Sequence, residues 1–175
     1  MKQVSIREPE FDDEIPFLTA MQYSRSLHSP WVTPPLTKQE FRDYVQRFQQ
    51  PDQKSFLVCA AYGEIAGVIN VSEIVRGHFQ SAYLGFYSVS DYAGKGYMSA
   101  GLKLVLQKVF IDLSLHRVEA NIQPGNIPSI SLVRANGFRK EGYSPRYLKI
   151  NGEWRDHERW AMTIEDWEQL SRVDS

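Results

Sequence analysis

Residues 81–110, "SAYLGFYSVSDYAGKGYMSAGLKLVLQKVF", pass from an apolar strand-like segment through Gly94-Lys95-Gly96 into a long helix with an apolar stripe. No other stretch constrains the chain as tightly. A strand that turns directly into such a helix must lay the helix back on its own sheet, so sheet and helix share one core. At the two glycines no Cβ shields the amides at the positive end of the helix. Such a nest suits phosphate oxygens. On the local pattern alone, a glycine turn that serves only to reverse the chain is an equal alternative.

The remaining segments fit the same architecture. "QVSIRE" alternates as a strand, residues 12–27 read as a helix, and the prolines of "SLHSPWVTPPL" mark a loop. Thr37 followed by Glu40 predicts a capping box, opening a helix with Phe41, Tyr44, Val45 and Phe48 on one face. "SFLVCAAY" and "EIAGVINVSEIV" predict a hairpin about Gly63. In the long helix Met98, Leu102, Val105, Leu106 and Val109 recur as a core face. "HRVEANIQ" is a further strand, and "NIPSISLVRANGF" a short helix that Asn136-Gly137 can close. Asn151-Gly152 predicts a hairpin within "RYLKINGEWRDHERWAMT". The expected fold is α+β: a mixed, mostly antiparallel central sheet with helices on both faces, in one domain over residues 1–175.

A net charge of −1 offers no global field for nucleic acid or an anionic membrane, and no basic stripe or stacking motif stands out. No direct nucleic-acid binding, no membrane partner and no metal are expected. Cys59 is the only cysteine, which excludes an intrachain disulfide and suits a small buried thiol. The N-terminus lacks an apolar signal-peptide core, and the apolar stretches are too short to span a bilayer, so a cytoplasmic setting is expected.

Two common phosphate motifs do not fit. A P-loop needs G-x-x-x-x-G-K-[ST], whereas Lys95 is followed by Gly96; a dinucleotide fingerprint needs G-x-G-x-x-G, whereas the next glycine is Gly101. "AGKGYM" instead resembles the [Q/R]-x-x-G-x-[G/A] pyrophosphate segment of the GNAT acyl-CoA N-acyltransferases. Ala93 stands in place of the polar residue, and Met98 at the small position. "NIPSISLVRANGFRKEGY" resembles that family's N-x-x-S and G-F-x-x-E-G segments. With "VINVSEIVRGHFQSAYLGF", "YLKINGEWRDHERWAMT" and "LHSPWVTPP", the likeness is to the RimJ/RimL branch, ribosomal-protein-alanine N-acetyltransferases, and to RimJ more than RimL.

The resemblance implies that acetyl-CoA, as co-substrate, lies where two neighbouring strands part, here "SAYLGFYSV" and "HRVEANIQ". Backbone at Ser88 and Val89 would face the pantetheine arm and the thioester, with a donor near Val89 for the oxyanion. Amides of Gly94, Lys95, Gly96, Tyr97, Met98 and Ser99 would hold the pyrophosphate. Asn126 would fix the lower arm or cap a helix, and Ser129 would protonate the thiolate or serve in a cap. Trp31, His28 and Tyr147 are candidates for the acceptor groove, with Trp154 beside them. Glu73 is the leading candidate base, ahead of His78 and Glu119, because Tyr83 stands where many relatives carry glutamate. Glu119 could equally pair with Arg117. Acidic groups such as Glu153 and Asp156 could guide a basic protein.

The absence of an obvious base favours an α-amine. Its pKa of about 7.7–8.0 leaves roughly a tenth neutral at pH 7, against roughly 0.04% for a lysine amine near 10.4. The implied partner is the N-terminal alanine of a ribosomal protein. A small amine (polyamine, amino acid or aminoglycoside) is the nearest alternative. A non-catalytic acyl-CoA sensor or ribosome-assembly factor is the alternative of another class.

Overall fold

A computed structural model describes residues 3–173. Seven strands, β1 (Ser5–Arg7), β2 (Lys54–Cys59), β3 (Ile65–Val75), β4 (Ser81–Ser88), β5 (Arg117–Ile122), β6 (Arg139–Ile150) and β7 (Glu153–Thr163), form one sheet in the order β1-β2-β3-β4-β5-β7-β6. Only β4 and β5 run parallel; every other neighbouring pair is antiparallel. The helices are α1 (Glu14–Tyr23), α2 (Arg25–His28), α3 (Lys38–Arg47), α4 (Tyr97–Gln107), α5 (Ile127–Ala135) and α6 (Ile164–Val173).

Alternation along the strands divides the apolar side chains between two cores. On one face Phe17 and Met21 of α1 and Phe41 and Val45 of α3 pack on Leu57, Val68 and Tyr87. On the other, Leu102, Val105 and Leu106 of α4 pack on Ile69, Leu84, Val118, Ala120 and Met162. The α3 capping box forms as its sequence predicts: Glu40 N donates to Thr37 Oγ1 at 3.2 Å and Thr37 N to Glu40 Oε2 at 3.1 Å.

Four elements differ from the sequence expectation. The helix expected over residues 12–27 begins as a 3-10 turn at Phe11–Asp13 and breaks at Ser24. There the buried Ser24 hydroxyl accepts from Ser90 N at 2.9 Å, an interaction that no local pattern encodes. After α4 the chain continues as a π-helical turn, Lys108–Asp112. Strand β6 begins at Arg139, well before the hairpin segment recognised in the sequence, because β7 is long enough to pair with it. Helix α6 lies outside the elements expected from sequence, although its start carries a side-chain cap: Asp166 Oδ2 accepts from Thr163 N at 2.9 Å.

The site is positioned by one irregularity of the sheet. Strands β4 and β5 pair only from Ser81↔Arg117 to Leu84↔Ala120, and then separate. The parting strands are the two expected to do so. Beyond β4, the face that carries α1 and α3 becomes polar, with Tyr83, Glu119, Asn121 and Arg159 in register.

Candidate functional site

The glycine turn adopts the conformation that its sequence requires. Gly94 and Gly96 lie at φ 69° and 84°, the left-handed region where a side chain brings strain. Gly96 is the N-cap of α4, and the first backbone bond of the helix is Ala100 N to Gly96 O at 3.1 Å. The amides from Gly96 to Ser99 therefore precede the helical ladder. A Cβ built at Gly94 or Gly96 meets no protein atom within 4 Å, so this backbone opens onto space. Lys95 and Tyr97 belong to the same turn, and the Tyr97 ring stands T-shaped against Tyr92 at 4.9 Å. Met98 fits its position because Gly67 faces it: a Cβ there would come within 2.2 Å of the Met98 sulfur. Ser99 Oγ accepts from Asn136 Nδ2 at 3.0 Å, which ties the start of α4 to the end of α5.

Beside the end of β4, where β5 has parted from it, lies a cavity of ≈ 460 Å³, walled by Phe86, Ser88, Gly94, Gly96, Ser99, Asn126 and Ser129, with His28 and Trp31 from the N-terminal part of the chain. One group differs from expectation. The Val89 amide is already committed, donating to Ala66 O at 2.9 Å. With Ser88 opposite Gly67, the antiparallel alternation instead turns the amides and carbonyls of Phe86 and Ser88 toward the gap. His28 lines the cavity but is largely buried, and its Nε2 lies 2.7 Å from Ser88 O. Burial lowers the His28 pKa, and the bond to Ser88 opposes that shift, so the ring is neutral near pH 7.

At the opposite wall, Asn126 Oδ1 accepts from the Ser129 backbone amide at 3.4 Å. That cap uses the main chain of Ser129 and leaves its hydroxyl available in the cavity. Trp31 lines the cavity, its ring carbons 3.0 and 3.6 Å from where a Gly125 Cβ would stand. The loop that carries it is joined to the last hairpin by Thr33 Oγ1, which donates to Asn151 Oδ1 at 2.7 Å. A second cavity of ≈ 490 Å³ lies on the α3 face and shares Val32 and Tyr87 with the first. Its walls include Glu40, Asp43, Arg47, Asn70, Ser72 and Gly85.

The other candidates fall elsewhere. Glu73 sits exposed at the β3 irregularity, φ 52°, and lines neither cavity; its strand faces the splay only at the far end, around Gly67. His78 lies exposed in the β3–β4 connection. Glu119 pairs with Arg117 at 2.8 Å. Tyr147 lines neither cavity; it stands against His157, ring centroids 6.2 Å apart. It also lies close to Tyr83, whose pKa is raised by burial and by nearby Tyr147 and Glu119, so Tyr83 is no base near neutral pH. Trp154 is 61% exposed on the last hairpin. Sequence reasoning missed the His28–Ser88 bond and the second cavity, since each joins residues far apart in the chain. Among the described residues, no carboxylate lines the first cavity.

The GNAT acetyltransferase domain model matches residues 3–139. A probable N-acetyltransferase of Bacillus subtilis, YjcK, is 31% identical over 149 residues, 85% of this chain and 82% of that protein. The [ribosomal protein uS5]-alanine N-acetyltransferase of Escherichia coli is 42% identical over 104 residues, 59% of this chain and 54% of that protein. Among solved structures, Mycobacterium smegmatis RimJ in complex with CoA-disulfide superposes with a TM-score of 0.87 at 25% identity, covering 98% of this chain and 89% of that one. Vibrio cholerae spermidine N-acetyltransferase with CoA and spermine shares the fold, at TM-score 0.81 and 21% identity, covering 95% and 98%.

Proposed function

The chain belongs to the GNAT acetyltransferases, and from that premise we propose that it moves the acetyl group of acetyl-CoA to the N-terminal amine of a peptide, alanine-first and from a ribosomal protein. The observation that carries the peptide assignment is that, among the described residues, the acidic groups Glu40 and Asp43 stand in the second cavity and the wall of the cleft beside Ser88 contains no carboxylate. A polyamine or lysine amine would need one, both to balance its charge and to remove a proton held near pKa 10.4. An α-amine, already about a tenth neutral at pH 7, needs only water. Similarity to the uS5-alanine enzyme over 104 residues supports the alanine-first target.

Each wall of the cleft has its own part in the reaction. The Gly94–Ser99 backbone receives the pyrophosphate at the positive end of α4. The edge of β4 at Phe86 and Ser88 lies along the pantetheine arm, and the Ser88 amide donates to the thioester oxygen. The neutral amine attacks the thioester carbon; the C–N bond forms, the C–S bond breaks, and the ammonium proton leaves to solvent. The Ser129 hydroxyl gives its proton to the departing thiolate and recovers one from water. Asn126 fixes the start of α5 and so the place of Ser129. Trp31 and the Thr33–Asn151 link shape the acceptor's entrance. Glu73 and the exposed hairpin residues take no step, and Glu119 remains bound to Arg117.

A CoA-release assay across Ala-, Ser- and Met-starting peptides, spermidine and aminoglycosides tests the assignment. The expected result is the highest kcat/KM on Ala-starting peptides. A preference for spermidine or an aminoglycoside would overturn it. Tight CoA binding without turnover on any amine would favour the non-catalytic alternative.

A further inference from the structure

Ser88 ends β4, and its carbonyl points into the gap that β5 vacates. In a continuous sheet the neighbouring strand would bond that oxygen. Here His28 takes the strand's place, with Nε2 at 2.7 Å. A carbonyl only accepts, so Nε2 carries the proton and Nδ1 keeps a lone pair. That Nδ1 has no hydrogen-bond partner, although His28 is only 4% exposed. The ring stands edge-on to Tyr87, centroids 5.4 Å apart. An unpaired buried nitrogen is unfavourable, and an apolar ring would fill the same space without it. Packing alone therefore gives no reason for an imidazole here.

We propose that His28 is a positioning residue for the thioester: its bond to the Ser88 carbonyl holds the Ser88 amide on the reacting oxygen and silences the acceptor beside it. This rests on the reading of Ser88 as the oxyanion donor. In an extended strand the N–H and C=O of one residue project from the same edge. Left unpaired, the Ser88 oxygen would set a negative dipole end near the developing oxyanion, or draw water into the gap. The Nε2–H offsets that dipole and anchors the end of the strand where β5 cannot. His28 is not the general base, since Nε2 is protonated and engaged while Nδ1 is enclosed.

The test compares His28→Phe with His28→Gln, whose side-chain amide can reach the position of Nε2. Four quantities are measured: kcat, the acetyl-CoA KM, the CoA Kd by calorimetry, and the carbonyl stretch of bound [1-13C]acetyl-CoA by isotope-edited infrared. Removing an oxyanion donor outright costs about 100–1,000-fold in kcat, and displacing one costs less. His28→Phe is expected to lower kcat about 10–100-fold, with CoA Kd held within about threefold, under 1 kcal/mol. Its thioester stretch should move back toward that of free acetyl-CoA. His28→Gln should recover most of the turnover and of the infrared shift. Wild-type kcat and stretch in His28→Phe would overturn the proposal. So would a CoA affinity that falls as far as kcat does. A His28→Gln as impaired as His28→Phe, with the acid limb of its pH–rate profile gone, would make His28 the base instead. Should the wild-type protein bind CoA yet acetylate no amine, the acetyl-transfer assignment fails, and the infrared comparison, which needs no acceptor, still decides the role of His28.

Discussion

Replacing Gly96 with valine separates the nest from the turn. At φ 84° and ψ 0° a β-branched residue is strained, by about 1–3 kcal/mol. For a chain of this size that lowers Tm by roughly 2–12 °C. Beyond its chain neighbours the new Cβ meets no protein atom within 4 Å, so the cost to the fold is backbone strain, while a ligand on the turn would meet the side chain as well. Charge-assisted hydrogen bonds contribute about 1.5–3 kcal/mol each. Loss of two weakens CoA by at least about 100-fold, since about 2.7 kcal/mol corresponds to that factor. Gly63→Val is the control: φ is 90°, its Cβ is equally unhindered, and it lines neither cavity. Calorimetry should show CoA affinity lost in Gly96→Val and kept in Gly63→Val, with comparable drops in Tm. At about 100 times the wild-type Kd, CoA should stabilise wild type and Gly63→Val by about 2.7 kcal/mol and Gly96→Val hardly at all. Unchanged affinity in Gly96→Val, with Tm lowered, would show that the turn only reverses the chain.

Ser129→Ala should lower kcat about 100–10,000-fold while CoA Kd stays within about threefold, because the cap on Asn126 uses the Ser129 main chain; steady-state kinetics with calorimetry check both. Glu73→Asn, chosen because asparagine tolerates φ 52°, should keep kcat within about twofold across pH 6–9 in a CoA-release assay. The His28 pKa is depressed below its ordinary 6.5, so its contribution to stability is complete above that pH and declines as pH falls, levelling once the folded-state pKa is passed. Urea unfolding from pH 7.5 to 5 should show this decline, at most about 1.4 kcal/mol per pH unit, in wild type and not in His28→Gln. Thr33→Val, which breaks the 2.7 Å link to Asn151, should cost stability only about 0.5–1.5 kcal/mol yet raise acceptor KM more than acetyl-CoA KM.

The parts of the fold that could be read from sequence are those in which a residue acts on its own neighbours. Thr37 with Glu40, the hairpin about Asn151-Gly152 and the glycine turn at 94–96 that opens a helix are features set within a few residues, and each forms as its local chemistry dictates. The Thr163–Asp166 cap is equally local, so the start of α6 is legible in the sequence too. The break at Ser24 depends on Ser90, and the true extent of β6 on the length of β7. Neither partner lies within reach of a local pattern.

The same division holds at the site. Sequence by itself determined that glycines would bare the start of α4, that Asn126 would stand where a helix could be capped, and that Ser88 would stand near the end of a strand. Only the tertiary structure decided which of those groups face the cleft. It sent the Val89 amide to Ala66, brought His28 across 60 residues to the Ser88 carbonyl, paired Glu119 with Arg117 and left Glu73 outside. The physical reason is the directionality of hydrogen bonds. Sequence specifies how many donors and acceptors each residue carries, while the register of strands and the packing of distant segments choose their partners.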